Sequence, residues 1–414
     1  MSTPFTMPGQ GSLTGLRVIE ISTSVAAPFG GQILGDLGAE VIKIERHAGD
    51  DTRKWAPPSW NGESIAFMSF NRNKKSVVLD YKDAEGKKVL EDLIAGADVL
   101  IQNLRPGALA KAGFTWEHVH ALNPRLIYCE MSGYGHTGPR AMQPAYDPLL
   151  QAFSGIVSMT GDDGGSPARV PVSLLDMGTG MWMALSVFEA LRRRDTTGEG
   201  CHVQNSLLQT ALTWITSPLI GAAAGNPPPK RLGSGFRGVV PYGAFPTADG
   251  HVFISAGNDH IWRRLLGAIE ATDLDEREGF STNPERNLRR AEVIQALSER
   301  TSRFTLAEIV PRLIEAKVPH SPVNTVDKVY ADEQVKAIGM MQPLPHPAVE
   351  DLEVVNLPMT FNGEYPTLAT TPPELGQDTV AVLESLGRTS EQIDRLLADN
   401  VVAQAPDEVP AVRA

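Results

Sequence analysis

The chain has 414 residues, of which 42% are hydrophobic and 21% charged, a balance typical of folded globular proteins. It is too long for one ordinary core, so two or three domains are expected, or one large α/β domain with an insertion. A net charge of −12 argues against a nucleic-acid partner, and no apolar run approaches the ~20 residues that span a bilayer. The leader MSTPFTMPGQGS lacks the pattern of a secretory signal. Cys129 and Cys201 have no paired spacing, which suggests neither a disulfide framework nor a metal site. A cytoplasmic protein without nucleic-acid or membrane partners is the expectation.

The first half alternates strand and helix. LRVIEIS (16–22) and EVIKIE (40–45) are short apolar runs flanking FGGQILGDLGA, a βαβ unit. KSVVLD (75–80), the helical AEGKKVLEDLIAGA, DVLIQN (98–103) and RLIYCEMS (125–132) continue the pattern. Repeated βα units with buried-type strands predict a doubly wound, mostly parallel sheet covered by helices on both faces. No G-x-G-x-x-G follows the first strand and no P-loop occurs, so the architecture is Rossmann-like without the dinucleotide signature. Asp176 stands where an N-cap belongs, before MGTGMWMALSVFEALRRR, and three arginines complement the far end of that helix. The predicted organisation is a large domain begun by residues 1–220, a Gly/Pro-rich linker at 221–235 and a smaller α+β domain at 236–332. A return segment, 333–414, completes the large domain. The small domain opens with a β-hairpin turning at Asp249-Gly250.

Three neighbourhoods have the composition of an anion or acyl site. The turn after the first strand, Ser24-Val25-Ala26, presents a helix N-terminus, with Arg46 and Arg53 nearby in sequence order. FNRNKKS (70–76) and QNLRPGALAKAGF (102–114) each place cations beside a strand, suited to phosphates but equally to solvated turns. Asp176, followed by Gly178 and Gly180, is either a helix cap or a carboxylate nucleophile. Tyr146-Asp147 is either structural or orients a substrate.

Taken in order, LTGLRVIEIS, AAPFGGQILGDLGAEVIKIE, FNRNKKSVVLD, ADVLIQNLRPGALAKAGF, AYDPLLQAFSG and LLDMGTGMWMALSVFEALRRR resemble the class III CoA-transferase family. That group includes formyl-CoA transferase and carnitine CoA-transferase, and the likeness runs from about Leu13 to Val402. The resemblance implies Asp176 as catalytic nucleophile and Tyr146, Asp147, Gly178 and Gly180 at the substrate. It implies Val25, Ala26, Arg46, Asn73, Lys74, Lys75, Asn103, Leu104 and Lys111 at the coenzyme. Lys111 replaces an arginine of formyl-CoA transferase, keeping charge but losing the planar fork. An interlocked homodimer is also implied, with coenzyme A present as acyl-CoA co-substrate rather than as a permanent cofactor, a carboxylic acid as acceptor, and no metal.

The family also contains α-methylacyl-CoA racemases, whose histidine base falls at Tyr146. A tyrosine, with an ordinary pKa of about 10, is a poor base near neutrality, and His136 lies ten residues earlier, so transfer is favoured over epimerisation. A coenzyme-binding protein without activity is the remaining alternative.

Overall fold

The computed structural model describes residues 11–405. The chain divides into two compact units. The first comprises residues up to Ser154, Val170–Leu219 and those from Gly339 onward. The second comprises Gly155–Arg169 and Ile220–Ile338.

The first unit is built on strands β1 (Arg17–Ile21), β2 (Glu40–Glu45), β3 (Lys74–Leu79), β4 (Val99–Gln102), β5 (Ile127–Ser132) and β6 (Cys201–Ser206). Its principal helices are α1 (Ala26–Asp36), α2 (Ala84–Ala95), α3 (Trp116–Leu122), α4 (Asp147–Phe153), α5 (Leu174–Thr197) and α6 (Leu207–Trp214). All six strands are parallel in the order β3-β2-β1-β4-β5-β6, and the short strand Val402–Ala403 adds antiparallel to β3. This is the doubly wound order, and the direction of winding reverses between β1 and β4.

The apolar runs explain why the sheet is covered on both faces. Val18, Val41, Val99, Ile127 and Cys129 point to one face and pack with α1 and with Met183, Ala184, Val187 and Ala190 of α5. Their sequence neighbours Ile19, Ile42, Leu100 and Tyr128 point to the other face, against Val89, Leu90, Leu93 and Ile94 of α2 and Val119 of α3. A one-residue slip of any strand would exchange these two sets, so register is tightly specified.

The second unit has a three-stranded antiparallel sheet, β7 (Tyr242–Pro246), β8 (His251–Ser255) and β9 (His320–Pro322), in the order β9-β8-β7. The expected hairpin is present, with a four-residue turn closed by the Thr247 N–H donating to the Gly250 carbonyl at 2.9 Å. Helices bury Trp262, Leu265, Leu297 and Leu313 against Phe245, Val252 and Ile254. The helix Thr216–Ala223 runs into the stretch expected as linker.

Candidate active site

In an open α/β sheet the crevice beyond the strand C-termini, where winding reverses, is the natural ligand site. Here it is bounded by the turn after β1 and by Asn103 after β4. Asn103 clamps that turn from one side: its Oδ1 accepts from the Thr23 N–H at 3.0 Å and its Nδ2 donates to the Thr23 carbonyl at 2.8 Å. Ser24 is left-handed, with φ of 70°. Val25 and Ala26 are buried by their side chains, so only their backbone is available, and no side chain caps the start of α1. The positive end of the helix dipole therefore opens into the crevice.

Asp176 lies in the first turn of α5, two residues inside the start, with Ser173 at the cap position; the sequence-based N-cap assignment is corrected. The capping is supplied instead by Asp147, from α4. Its Oδ2 accepts from the Leu175 N–H at 2.6 Å and the Asp176 N–H at 3.2 Å, satisfying two otherwise orphaned amides. Its Oδ1 accepts from Gln151 Nε2 at 2.5 Å. Gln151, fully buried, also bonds both the N–H and the carbonyl of Val170 (2.9 and 3.3 Å), tying the approach to α5 onto α4. The Asp176 carboxyl is thereby free of capping duty. Burial, and secondarily the negative Asp147, push its pKa up to about 7.

The glycines after Asp176 serve helix packing. A Cβ at Gly180 would stand 2.5 Å from the Ala26 carbonyl oxygen and 3.0 Å from the Gly30 nitrogen, and one at Gly30 would meet the Gly180 carbonyl at 3.0 Å. Helices α1 and α5 cross here with their backbones touching. A Cβ at Gly178 would stand 2.9 Å from Thr210 and 3.1 Å from Trp214 of α6. Both glycines are buried inside α5, where i→i−4 bonding takes up amides, so they do not line an open site as donors. Asp176 and Gly180 share one helix face, one turn apart. Because Gly180 packs on the carbonyl of Ala26, Asp176 lies one turn of α5 before the crossing with the first turn of α1.

Among the other predicted site residues, Tyr146 is exposed immediately before α4, next to the residue that caps the Asp176 helix. Arg46 follows β2 on the surface, its guanidinium bonded to the Gly49 carbonyl and paired with Asp51. The Leu104 N–H donates to Gln102 Oε1 at 2.9 Å, and Lys111 is exposed at the end of a short helix, Ala108–Lys111. These residues follow strand C-termini.

Asn73, Lys74 and Lys75 do not join them. Lys74 and Lys75 begin β3 and Asn73 precedes it; β3 pairs parallel with β2 so that Lys74 sits opposite Val41, at the other edge of the sheet. Lys74 is buried, bonded to Glu20, Asn71 and the Pro28 carbonyl. Asn73 is bonded to Asp36 and to the Ala369 and Thr370 amides, and Lys75 pairs with Glu40. A cavity of about 1280 Å³ lies at that edge, lined by Asp36, Glu40, Lys75, Tyr365 and Asp378 among others, but it contains neither Asp176 nor the crevice turn. The exposed cation following β3 at its C-terminal end is Lys82, which sequence reasoning passed over. Parallel pairing to β2 is the signal that finds it.

A family model described as CoA-transferase family III matches residues 13–379. The chain is 34% identical over 394 residues to the succinyl-CoA:glutarate CoA-transferase of Mus musculus, covering 95% of this chain and 90% of that protein. It is 34% identical over 388 residues to the succinate–glutarate CoA-transferase of Agrobacterium fabrum, covering 91% and 97%. Among solved structures, a CAIB/BAIF family protein from Brucella suis superposes with a TM-score of 0.85 at 34% identity, covering 91% of this chain and all of that one. On a crevice, a half-buried carboxyl and a match that spans both, the chain belongs to CoA-transferase family III and is a CoA-transferase.

Proposed function

We propose that the chain moves coenzyme A from an acyl-CoA to a free carboxylic acid by successive acylation and thioesterification of Asp176. Ionised Asp176 attacks the acyl carbonyl; the C–S bond breaks, leaving a mixed anhydride and CoA thiolate. The thiolate attacks the aspartyl carbonyl, releasing the donor acid and leaving an aspartyl-CoA thioester. The acceptor carboxylate then attacks that thioester, forming a second anhydride and freeing the thiolate. The thiolate takes the acceptor acyl group, and Asp176 is restored. Every step exchanges one acyl bond for another, so coenzyme A as co-substrate suffices.

The observation that carries this reading is the placement of the Asp176 carboxyl, half-buried in the first turn of α5 and relieved of capping by Asp147, with burial and Asp147 pushing its pKa up to about 7. Burial and a nearby negative charge disfavour the carboxylate relative to any neutral form, and both the anhydride and the thioester are neutral. The environment that pushes the acid's pKa up therefore also favours acylation. A fraction of the groups remains ionised near neutral pH, enough to begin the cycle. The uncapped start of α1, with the backbone of Val25 and Ala26, is suited to the coenzyme's anionic and carbonyl oxygens, and Arg46, Lys82, Asn103, Leu104 and Lys111 surround the same sheet edge. Tyr146 orients the acid.

Following the names of the relatives, succinyl-CoA is the donor to try first and glutarate the acceptor. We further propose a homodimer, interlocked as the family likeness implies. Leu149 and Phe153 of α4, Met181 and Leu185 of α5, and Leu212 and Trp214 of α6 are exposed apolar side chains that a second copy would cover. The test is a panel of acyl-CoA donors and free acids scored by mass for CoA exchange. Exchange that needs both substrates supports the proposal. Solvent deuterium entering the α-carbon without an acceptor would point to epimerisation instead.

A further inference from the structure

We propose that Asp50 is a positioning residue for the coenzyme, holding Thr23 and Ser24 in the conformation that keeps the start of α1 open to the acyl-CoA. The proposal deepens the function given above and rests on its reading of that turn as the coenzyme site.

Asp50 follows β2 and is itself buried, so it does not meet a ligand. Four donors converge on its Oδ1: Thr23 Oγ1 at 3.1 Å, the Ser24 N–H at 3.1 Å, the Thr52 N–H at 2.9 Å and Thr52 Oγ1 at 2.8 Å. The Ser24 bond matters most. A left-handed serine costs on the order of 1–2 kcal/mol and persists only where its surroundings hold it. Asn103 fixes Thr23 from the β4 side, and Asp50 fixes Thr23 and Ser24 from the β2 side.

Behind Asp50 runs a buried chain of alternating charge. Its Oδ2 faces Lys43 Nζ at 2.8 Å, Lys43 bonds Glu20 at 3.1 Å, and Glu20 pairs with Lys74 at 3.0 Å; all four side chains are buried. Lys74 then donates to the Pro28 carbonyl, in the first turn of α1, at 2.8 Å. The network thus grips the turn at one end and the helix that follows it at the other. Buried ion pairs seldom stabilise a fold more than apolar side chains of similar volume, so stability alone gives little reason for four charges here. Their convergence on the crevice turn does.

Removing Asp50 alone would strand buried Lys43, so the variants are paired. Asp50→Leu with Lys43→Met deletes the acceptor and balances the charge. Asp50→Asn with Lys43→Met keeps an acceptor oxygen where Oδ1 stands. Steady-state exchange and calorimetric CoA binding are measured for both and for the native protein. The leucine variant should raise the KM for acyl-CoA and the Kd for CoA at least tenfold, with kcat within threefold. The asparagine variant should stay within threefold on all three.

A folded leucine variant with native KM and Kd overturns the proposal, as does an asparagine variant equally impaired. If the leucine variant fails to fold, Thr23→Val against Thr23→Ser decides, since both leave the four charged side chains in place and differ in the hydroxyl that Asp50 accepts from. Valine should raise KM several-fold and serine should not, and equal KM values overturn the idea. Native protein that exchanges no CoA would sink the function itself. Native exchange with indifferent variants would sink only the role of Asp50.

Discussion

Replacing Asp176 by Asn keeps the side chain's shape and removes its titration, which makes the carboxyl's burden on the fold measurable. The native group is raised from the ordinary carboxyl value of 3.8 to about 7, so between those limits the folded protein holds a proton that the unfolded chain has released. Stability then falls as pH rises through the window and levels off above about pH 7. Three pH units at 1.36 kcal/mol each bound the effect at about 4 kcal/mol, and partial solvent access at the site trims this to roughly 2–4 kcal/mol. The variant lacks this loss. Urea unfolding at pH 4, 5.5, 7 and 8 should give curves for the two proteins that nearly coincide at pH 4. They should then diverge, with the Asn variant the more stable by a few kcal/mol at pH 8. A constant difference across pH, or an Asn variant less stable at pH 8, would refute the reasoning that burial and Asp147 destabilise the carboxylate.

Other consequences follow from the same geometry. Because only the ionised form attacks, kcat/KM for the acyl-CoA should fall below pH 7, by roughly tenfold per unit once well below the pKa, and level off above it. Gly180→Ala forces a methyl to within 2.5 Å of the Ala26 carbonyl oxygen. It should cost about 1–3 kcal/mol by denaturation and lower kcat by displacing Asp176 from α1. Lys75→Ala, at the far edge of the sheet, should leave the KM for acyl-CoA within twofold and cost at most about 1 kcal/mol for its surface pair with Glu40. Lys82→Ala, at the near edge, should raise that KM several-fold.

Much of the large unit was legible because hydrophobic runs report burial directly. LRVIEIS, EVIKIE and RLIYCEMS became β1, β2 and β5 within two residues. What the runs do not carry is which end of a strand faces the crevice. FNRNKKS has the composition of a phosphate site, yet in a parallel sheet the residues before a strand lie opposite the strand C-termini, and Lys74 was recruited to balance Glu20. An internal lysine beside hydrophobic strands is as compatible with a buried ion pair as with a ligand, and only tertiary pairing decides.

Asp176 was found at the right position for a partly wrong local reason. An acidic residue before a helical run suggests a cap, but here the cap comes from Asp147, 29 residues earlier in sequence, which local pattern cannot foresee. The family likeness likewise set Gly178 and Gly180 at the substrate, whereas the space beside them is occupied by α6 and α1. The Asp50 network escaped notice because GDDTR has the look of a solvated loop until the fold closes Lys43 beneath it.

The most direct measurement is made on protein incubated with an acyl-CoA donor alone, treated with hydroxylamine or borohydride, and digested for peptide mass mapping. The account predicts a mass change confined to the peptide carrying residue 176, converted to the hydroxamate or the reduced alcohol and absent from the Asn variant. Failure of that peptide to change mass under donor, or full exchange activity in an Asp176→Ala protein, would contradict it.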